Sequence, residues 1–142
     1  FAMRFADSNS RVSVSNSRRS CRLRNPSGLM LTSGDVVDVD LGLPAGSEAG
    51  FARPVVVVTA QEILEREPNV IQVVPLTSTI RDFASEVYIS GHGTGLDRDS
   101  NAQCQHVRSL AISRVVRHRG NVGSVDLARI REVIALLLDI AP

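Results

Sequence analysis

Two side chains have types and positions that suit chemistry on a phosphodiester. Arg53 ends the glycine-containing stretch GSEAGFAR at 46–53, and Pro54 holds the residue before it extended. Thr77 follows the apolar run VIQVVPL at 70–76. A guanidinium binds phosphoryl oxygens through two parallel hydrogen bonds, and a hydroxyl both donates and accepts. The two residues could therefore stabilise a phosphoryl transition state and relay a proton.

Neighbouring residues add possible contacts to a nucleic acid. Glu48 either orients Arg53 or reads a base edge. Phe51 either stacks on a base or pins its loop to the core. The imidazole of His106 can exchange protons at neutral pH, although a lone histidine is also common as a packing or surface residue. Further candidates for substrate contacts are Ser47, Ser78, Thr79, Arg81 and Arg108.

The composition indicates one globular domain that has mainly aliphatic packing. Apolar residues make up 43% of the 142 residues and aromatic residues only 4%, which favours β-structure. All 16 basic residues are arginine. Residues 1–33 carry six arginines and one acid, whereas residues 34–142 carry ten arginines and fourteen acids. A net acidic core is not typical of a general nucleic-acid coat, so RNA binding would depend on a local group of arginines.

The remaining bulk features favour a cytosolic protein without a metal or cofactor. Cys21 and Cys104 are isolated, and the three histidines have no metal-ligand spacing. No apolar run approaches the ~20 residues that span a bilayer, and the basic N-terminus lacks the apolar stretch of a signal peptide.

The pattern along the chain predicts a basic tail and one β-rich domain. Residues 1–33 are rich in Ser and Arg and are interpreted as a tail, and residues 34–142 as the folded domain. The alternation in 35–41 predicts a half-buried strand, while 54–59 and 70–76 predict strands buried on both faces.

Later segments predict three more strands and two helices. Strands are predicted at 85–90, at 102–110 and at 112–117. Thr59 and Glu62 have the spacing of a capping box before a short helix. Ser124 is predicted to cap an amphipathic helix with apolar residues at helical spacing, namely Leu127, Ile130, Ile134 and Leu137. This order favours a small antiparallel sheet closed by a helix, and periodicity alone does not separate a barrel from a sandwich.

Four segments together resemble the MazF/PemK family of toxin endoribonucleases. They are GDVVDVDLGLPAGSE at 34–48, GSEAGFARPVVVV at 46–58, VVPLTSTIR at 73–81 and SNAQCQHVRSL at 100–110, and the likeness runs from about residue 34 to residue 140. The resemblance implies an SH3-like barrel with a short helix and a C-terminal amphipathic helix, working as a homodimer.

The resemblance also implies roles for individual residues. Arg53 matches the principal catalytic arginine of similar proteins, and Thr77 matches the threonine placed opposite it. Gln103 and Gln105 stand where relatives similar to the toxin Kid carry a catalytic arginine and aspartate, which casts doubt on the Kid variant of the mechanism. His106 replaces a glutamine that holds RNA, so Gln103, Gln105 and His106 are expected to face RNA.

The leading hypothesis is a metal-independent, sequence-specific endoribonuclease that inhibits translation and growth as the toxin of a toxin-antitoxin system. It would cleave single-stranded RNA by 2′-hydroxyl attack and leave 2′,3′-cyclic phosphate and 5′-hydroxyl ends. The expected partners are RNA, a second copy of the chain and a MazE-like antitoxin whose acidic segment competes for Arg53, Arg81 and Arg108. The alternatives are a non-nucleolytic toxin similar to CcdB, which binds DNA gyrase, and an inactive RNA-binding barrel.

Overall fold

The computed structural model describes residues 30–42, 46 and 52–141. In this part of the chain, seven strands and two α-helices follow one another with two 3-10 turns near the end. The strands are β1 (Asp35–Asp40), β2 (Ala52–Val57), β3 (Val70–Thr77), β4 (Glu86–Ile89), β5 (Ser100–Gln103), β6 (Arg108–Ala111) and β7 (Val115–Asn121). The helices are α1 (Gln61–Leu64) and α2 (Ser124–Leu137), and the 3-10 turns are Cys104–His106 and Ile112–Arg114.

The strands form one antiparallel sheet in the order β4-β5-β3-β2-β1-β7, with β6 also paired to β3. The long β3 strand organises this sheet. Its first half pairs with β6, its end pairs with β5, and its other edge pairs with β2. Within the described residues the pairing path is open, because β7 pairs only with β1. The mainly antiparallel fold with a C-terminal helix is thereby confirmed, and its barrel is incomplete.

The last three residues of β2 and the second half of β3 are buried on both faces, as predicted, whereas the first half of β3 alternates between exposed and buried residues. The described residues form two hydrophobic cores, one on each face of the sheet. Successive side chains of a strand point to opposite faces, so β2 contributes Val55 and Val57 to one core, here called the first core, and Val56 to the other, the second core. All three valines are fully buried. In β1, Val36 is buried as well as Val37 and Val39, so this strand is more enclosed than its alternating pattern predicts.

The predicted strand at 102–110 is wrong in its continuity. The 3-10 turn Cys104–His106 divides this segment into β5 and β6, which pair with different halves of β3. A short tight turn allows the chain to change its position along β3, which a straight strand cannot do. The strand predicted at 112–117 begins later than predicted, at Val115, because residues 112–114 form another 3-10 turn.

Both predicted helix caps are wrong. Ala60, which has no side-chain cap, precedes α1, and the hydroxyl of Thr59 accepts a hydrogen bond from Gln72 N instead, at 2.8 Å. Gly123 precedes α2 with a φ of 89°, and Ser124 is already the first helical residue. The predicted apolar stripe holds at Leu127 and Ile130, which pack in the second core, whereas Leu137 is 47% exposed.

The folded part of the chain extends a few residues before the predicted boundary at residue 34. Leu31 packs into the first core, and Thr32 N donates to Asp35 Oδ2 at 2.7 Å. Residues 1–29, which include most of the predicted tail and Cys21, lie outside the described residues. In the part that the structure describes, neither helix has the length and apolar character needed to cross a membrane.

Candidate functional site

A cleft of about 280 Å³ opens where the first residues of β2 lie beside the end of β3. A cleft of this size has roughly nine times the volume that one water occupies in the liquid, about 30 Å³. It is lined by Ala52, Arg53, Pro54, Leu76, Thr77, Ser78, Leu96, Asp97, Arg98, Ser100 and Arg119. The two residues predicted to be catalytic, Arg53 and Thr77, therefore line the same cleft.

The strand register explains why these two residues lie close together. Val55 pairs with Pro75 and Val57 pairs with Val73 in the antiparallel ladder of β2 and β3. The ladder ends at the first of these pairs, and Arg53 and Thr77 each lie two residues beyond it. Both residues therefore lie at the same end of the paired strands. On its other side, β3 is fixed at Thr77 by pairing with Asn101 of β5.

The hydroxyl of Thr77 keeps a donor for a ligand. Its oxygen accepts a hydrogen bond from Thr79 N at 3.2 Å. A hydroxyl has one hydrogen to donate and two lone pairs, so the hydrogen of Thr77 is not used by this contact. Ser78 also lines the cleft, while Thr79 is exposed next to it. The end of β3 thus provides a short run of hydroxyl groups beside Arg53.

A second wall of the cleft comes from the connection between β4 and β5. Leu96, Asp97 and Arg98 lie in this connection and line the cleft, as does Ser100 at the start of β5. The sequence reasoning did not select any of these four residues. The strand pairing explains their position. β5 pairs with the end of β3, so the residues just before β5 must lie near Thr77.

Arg119, also missed by sequence reasoning, reaches the cleft from β7. Its Nε donates to Asp38 Oδ1 at 2.8 Å, and its Nη1 lies 3.5 Å from Asp97 Oδ2. The hydrogen bond to Asp38 raises the pKa of Arg119, and the charges of Asp38 and Asp97 raise it further, although burial acts in the opposite direction. Arg119 is thus a cation held by two carboxylates, one of them within the cleft.

The electrostatic balance of the lining is positive. Three arginines, Arg53, Arg98 and Arg119, contribute to the cleft, and Asp97 is the single acid among its described lining residues. Arg53 and Arg98 form no salt bridge with any described residue. Two guanidinium groups without a counter-charge among the described residues favour an anionic ligand that has phosphate-like oxygens.

Arg81, expected to contact phosphate, lines a different cleft. That cleft has a volume of about 500 Å³ and is lined by Ile80, Arg81, Asp82, Phe83, Glu86, Tyr88, Asn101 and Arg129. Arg81 forms a salt bridge with Glu86 at 2.5 Å, and its guanidinium lies 4.6 Å from the centre of the Phe83 ring. Arg81 is therefore paired within the protein and separate from Arg53.

Gln105, expected to face RNA, belongs to the same group of side chains as Arg81. Its Nε2 donates to Glu86 Oε2 at 2.9 Å, and Asn101 Nδ2 donates to Glu86 Oε1 at 3.1 Å. Burial of Glu86 acts to raise its pKa, but hydrogen bonds from Gln105, Arg81 and Asn101 outweigh this effect and lower the pKa below its ordinary value. The buried side chain of Glu86 thus accepts hydrogen bonds from three polar side chains.

Three other expected RNA contacts also lie away from the Arg53 cleft. Gln103 is only 7% exposed, and its Oε1 has no partner among the described residues, so its expected contact with RNA stays a prediction. His106 is half-buried in the 3-10 turn after β5. Arg108 lies on β6, pairs with Val73, and directs Nη1 to the carbonyl of Leu41 at 3.5 Å.

The proposed contacts of the loop before Arg53 lie outside the described residues. Ser47, Glu48 and Phe51 belong to this group. Cys104, by contrast, is fully buried in the second core, and burial raises the pKa of its thiol to about 11. Among the described residues, no three His, Cys, Asp or Glu side chains are grouped in a way that could hold a metal ion.

Sequence comparison matches the chain to a family model and to a named relative. The family model described as "PemK-like, MazF-like toxin of type II toxin-antitoxin system" matches residues 32–138. The chain is also 37% identical, over 116 residues, to "Endoribonuclease MazF9" of Mycobacterium tuberculosis (strain ATCC 25618 / H37Rv), with 78% of this chain and 98% of that protein covered.

Solved structures share the fold. The "Crystal structure of MazF (Form-I) from Deinococcus radiodurans" matches with a TM-score of 0.68 at 24% identity, covering 78% of this chain and 98% of that one. The structure titled "Endoribonuclease in complex with its cognate antitoxin from Mycobacterial species" matches with a TM-score of 0.63 at 19% identity, covering 79% of this chain and 98% of that one. At these identities the structural likeness shows the fold alone.

Proposed function

The chain belongs to the family of PemK-like, MazF-like toxins of type II toxin-antitoxin systems, and we propose that it is the toxin of such a pair and acts as an endoribonuclease. The family match and the name of its 37% identical relative support this activity. The observation that carries the proposal is the joint position of Arg53 and Thr77 in a cleft with two further arginines. The same comparisons argue against the alternative of a toxin similar to CcdB.

The proposed reaction uses the RNA as its own nucleophile. The ribose 2′-hydroxyl attacks the adjacent phosphorus, and the bond from phosphorus to the 5′-oxygen of the next nucleotide breaks. The products are a 2′,3′-cyclic phosphate and a 5′-hydroxyl, with the proton of the 2′-hydroxyl removed and a proton delivered to the leaving oxygen. Since the nucleophile is already bound to the substrate, the reaction requires no metal ion to generate it.

Arg53 is proposed as the group that stabilises the charge on the pentacoordinate phosphorane. A fixed donor aimed at charge that develops in the transition state is worth about 10²- to 10³-fold in rate. Thr77 is proposed to donate its free hydroxyl hydrogen to a phosphoryl oxygen, since its oxygen already accepts from Thr79 N. The described lining contains one carboxylate and no imidazole, so charge stabilisation is the part of the chemistry that this geometry supports most directly.

Single-stranded RNA is the proposed substrate class. The cleft lies at a sheet end between loops, where separated bases can enter, whereas the deep groove of duplex RNA does not admit side chains. The roles of Ser47, Glu48 and Phe51 in reading bases remain predictions. We propose that the reaction takes place in the cytoplasm, where transcripts are exposed to the enzyme.

The test is cleavage of a long unstructured transcript in EDTA by the wild-type protein and by two variants. We expect Arg53→Ala to lose at least about 100-fold in kcat, because a transition-state contact is lost. Arg131→Ala is the matched control, since Arg131 contacts the carbonyls of Val58 and Thr59 at the opposite end of β2. Circular dichroism checks that both variants fold. Full activity of Arg53→Ala would refute the mechanism, and uncut RNA with the wild type would refute the activity.

A protein partner of acidic chemistry is part of the proposal. An antitoxin segment that is disordered when free would place carboxylates on Arg53 and Arg98, in competition with RNA phosphates. The structure of a similar endoribonuclease with its cognate antitoxin supports such a partner. We expect binding of a synthetic acidic antitoxin peptide to weaken steeply with salt and to inhibit cleavage, and binding independent of salt would refute this mode.

We also propose that the protein is a homodimer. Hydrophobic side chains remain exposed along α2 and just beyond it, including Val125 (71%), Leu136 (75%) and Ile140 (57%). A second copy of the chain would cover such a surface. Light scattering coupled to size-exclusion chromatography should give twice the chain mass of 15.3 kDa, and a mass of one chain at micromolar concentration would refute the dimer.

A further inference from the structure

We propose that Arg98 is a further substrate-binding residue of the cleft and contacts a phosphate of the RNA strand next to the one that is cut. The inference rests on the proposed function and extends it to a residue of the β4–β5 connection. The relevant segment is 91–99, named here the β4–β5 loop. Three observations support the role: the loop is fixed on the sheet, its neighbouring charges are paired, and Arg98 itself forms no ion pair within the part of the chain that the structure describes.

The middle of the β4–β5 loop packs directly against the backbone of β7. A Cβ atom built on Gly95 would overlap the carbonyl group of Arg119, and one built on Gly120 would overlap the carbonyl group of Thr94. The loop and the strand therefore approach each other through glycines on both sides, which only residues without a side chain permit. The loop is held against the sheet three residues before Arg98.

Both ends of the loop are also held by hydrogen bonds. Thr94 is 5% exposed, and its hydroxyl donates to the carbonyl of Ser90 at 2.8 Å. Asp99 accepts from Gly91 N at 2.8 Å. The hydrogen bonds from Gly91 and from the Tyr88 hydroxyl lower the pKa of Asp99, so its carboxylate stays ionised and keeps both donors at neutral pH. These contacts fix the backbone on either side of Arg98.

The charges around Arg98 are assigned to other partners. Asp97 lies 3.5 Å from Arg119, and Asp99 accepts from Gly91 and Tyr88. Arg119 is neutralised mainly by Asp38. Arg98 is exposed, lines the cleft, and forms no salt bridge with any described residue. Its backbone is therefore fixed, and its guanidinium, in the same cleft as Arg53, has no counter-charge among these residues.

Two such cations in one cleft suit a chain of phosphates better than a single anion. Each phosphodiester carries one negative charge, so a strand that places one phosphate at Arg53 and the next at Arg98 neutralises both. Arg53 would act on the phosphate that reacts, whereas Arg98 would bind one that does not. Arg98 should therefore affect substrate binding, expressed in KM, more than the chemical step, expressed in kcat.

The test is steady-state cleavage of a short single-stranded RNA that contains a mapped cut site, measured at several salt concentrations. For Arg98→Gln we expect KM to rise about tenfold, which is typical of one lost charged hydrogen bond, with kcat within about threefold of the wild type. The slope of log(kcat/KM) against log salt should become shallower by about 0.7, the value for one phosphate contact on a single strand. Arg98→Lys should keep the wild-type slope because it keeps the charge.

Arg131→Gln is the matched control, because it removes the same charge from α2, where Arg131 contacts the carbonyls of Val58 and Thr59 just beyond the end of β2 opposite to Arg53. Its salt slope and KM should equal those of the wild type. An unchanged KM and slope in Arg98→Gln, or a loss of kcat alone, would overturn the role of Arg98 even though the wild type cleaves RNA. Absence of cleavage by the wild type would instead overturn the proposed function itself.

Discussion

Replacement of Gly95 by alanine measures how firmly the β4–β5 loop is attached to the sheet. Two separate penalties act at this position. Gly95 has a φ of 81°, a left-handed conformation that costs a residue with a Cβ about 1–2 kcal/mol. The added Cβ would also overlap the carbonyl of Arg119, and such overpacking costs about 1–3 kcal/mol. The expected loss of folding free energy for Gly95→Ala is therefore about 2–5 kcal/mol.

Two neighbouring glycines separate these penalties. Gly93 has a φ of 79°, and a Cβ built there meets nothing within 4 Å, so Gly93→Ala should show the conformational penalty alone, about 1–2 kcal/mol. Gly120 has no positive φ, but its Cβ would overlap the carbonyl of Thr94, so Gly120→Ala should show the steric penalty alone, about 1–3 kcal/mol.

The assay is urea unfolding of the three variants and of the double variant Gly95→Ala/Gly120→Ala. Because both substitutions break the same contact, the double variant should lose less stability than the sum of the two single losses. A thermal scan should show a lower Tm by about 4 °C or more for each kcal/mol. If Gly95→Ala and Gly93→Ala are equally destabilised, or if the double variant is additive, the loop does not pack on β7 as described.

Three further predictions concern other parts of the molecule. Burial raises the pKa of the Cys104 thiol to about 11, so this thiol should not react with Ellman's reagent in the folded Cys21→Ser protein at pH 8. In urea the same thiol should react fully. Rapid labelling of the folded protein would contradict the burial of Cys104. Ile130→Ala, in the core, should lower the free energy of unfolding by about 2–5 kcal/mol. Leu136→Ala changes an exposed position of the same helix and should lower the free energy of unfolding of the monomer by less than about 1 kcal/mol. Both values are measured by urea unfolding at high dilution. The pKa of Glu86 is lowered in the folded protein, so its ionised form stabilises the fold above the ordinary pKa of 4.5, and this contribution disappears as the pH falls through the lowered folded-state value. The difference in the free energy of unfolding between wild type and Glu86→Gln should therefore shrink on acidification. A constant difference from pH 7 to pH 2 would contradict the assignment.

The sequence predicts the central strands well because a strand that is largely buried on both faces has a nearly continuous run of apolar residues. The mainly apolar runs of β2 and β3 both form strands, with bounds within two residues of the predicted ones. The prediction fails where local pattern and tertiary pairing disagree. Gln103 and Cys104 are both buried, although strict alternation places them on opposite faces, because all four residues of β5 are buried.

The candidate site is predicted only in part for a similar reason. Arg53 and Thr77 are found from their motifs, and the register of β2 and β3 brings them together. Arg98 and Arg119 are distant from both in sequence, and they reach the cleft through the packing of a loop on β7. Such packing depends on a backbone contact between two glycines, which leaves no periodic signal in the sequence.

The attachment of the β4–β5 loop through main-chain atoms also bears on how this protein can evolve. Because Gly95 and Gly120 meet without side chains, Asp97 and Arg98 can be exchanged by mutation while the glycine contact is retained. The strands that carry Arg53 and Thr77 are constrained by two hydrophobic cores and tolerate far less change. Diversification among descendants of this gene is therefore expected to alter how tightly RNA is bound sooner than the cutting reaction.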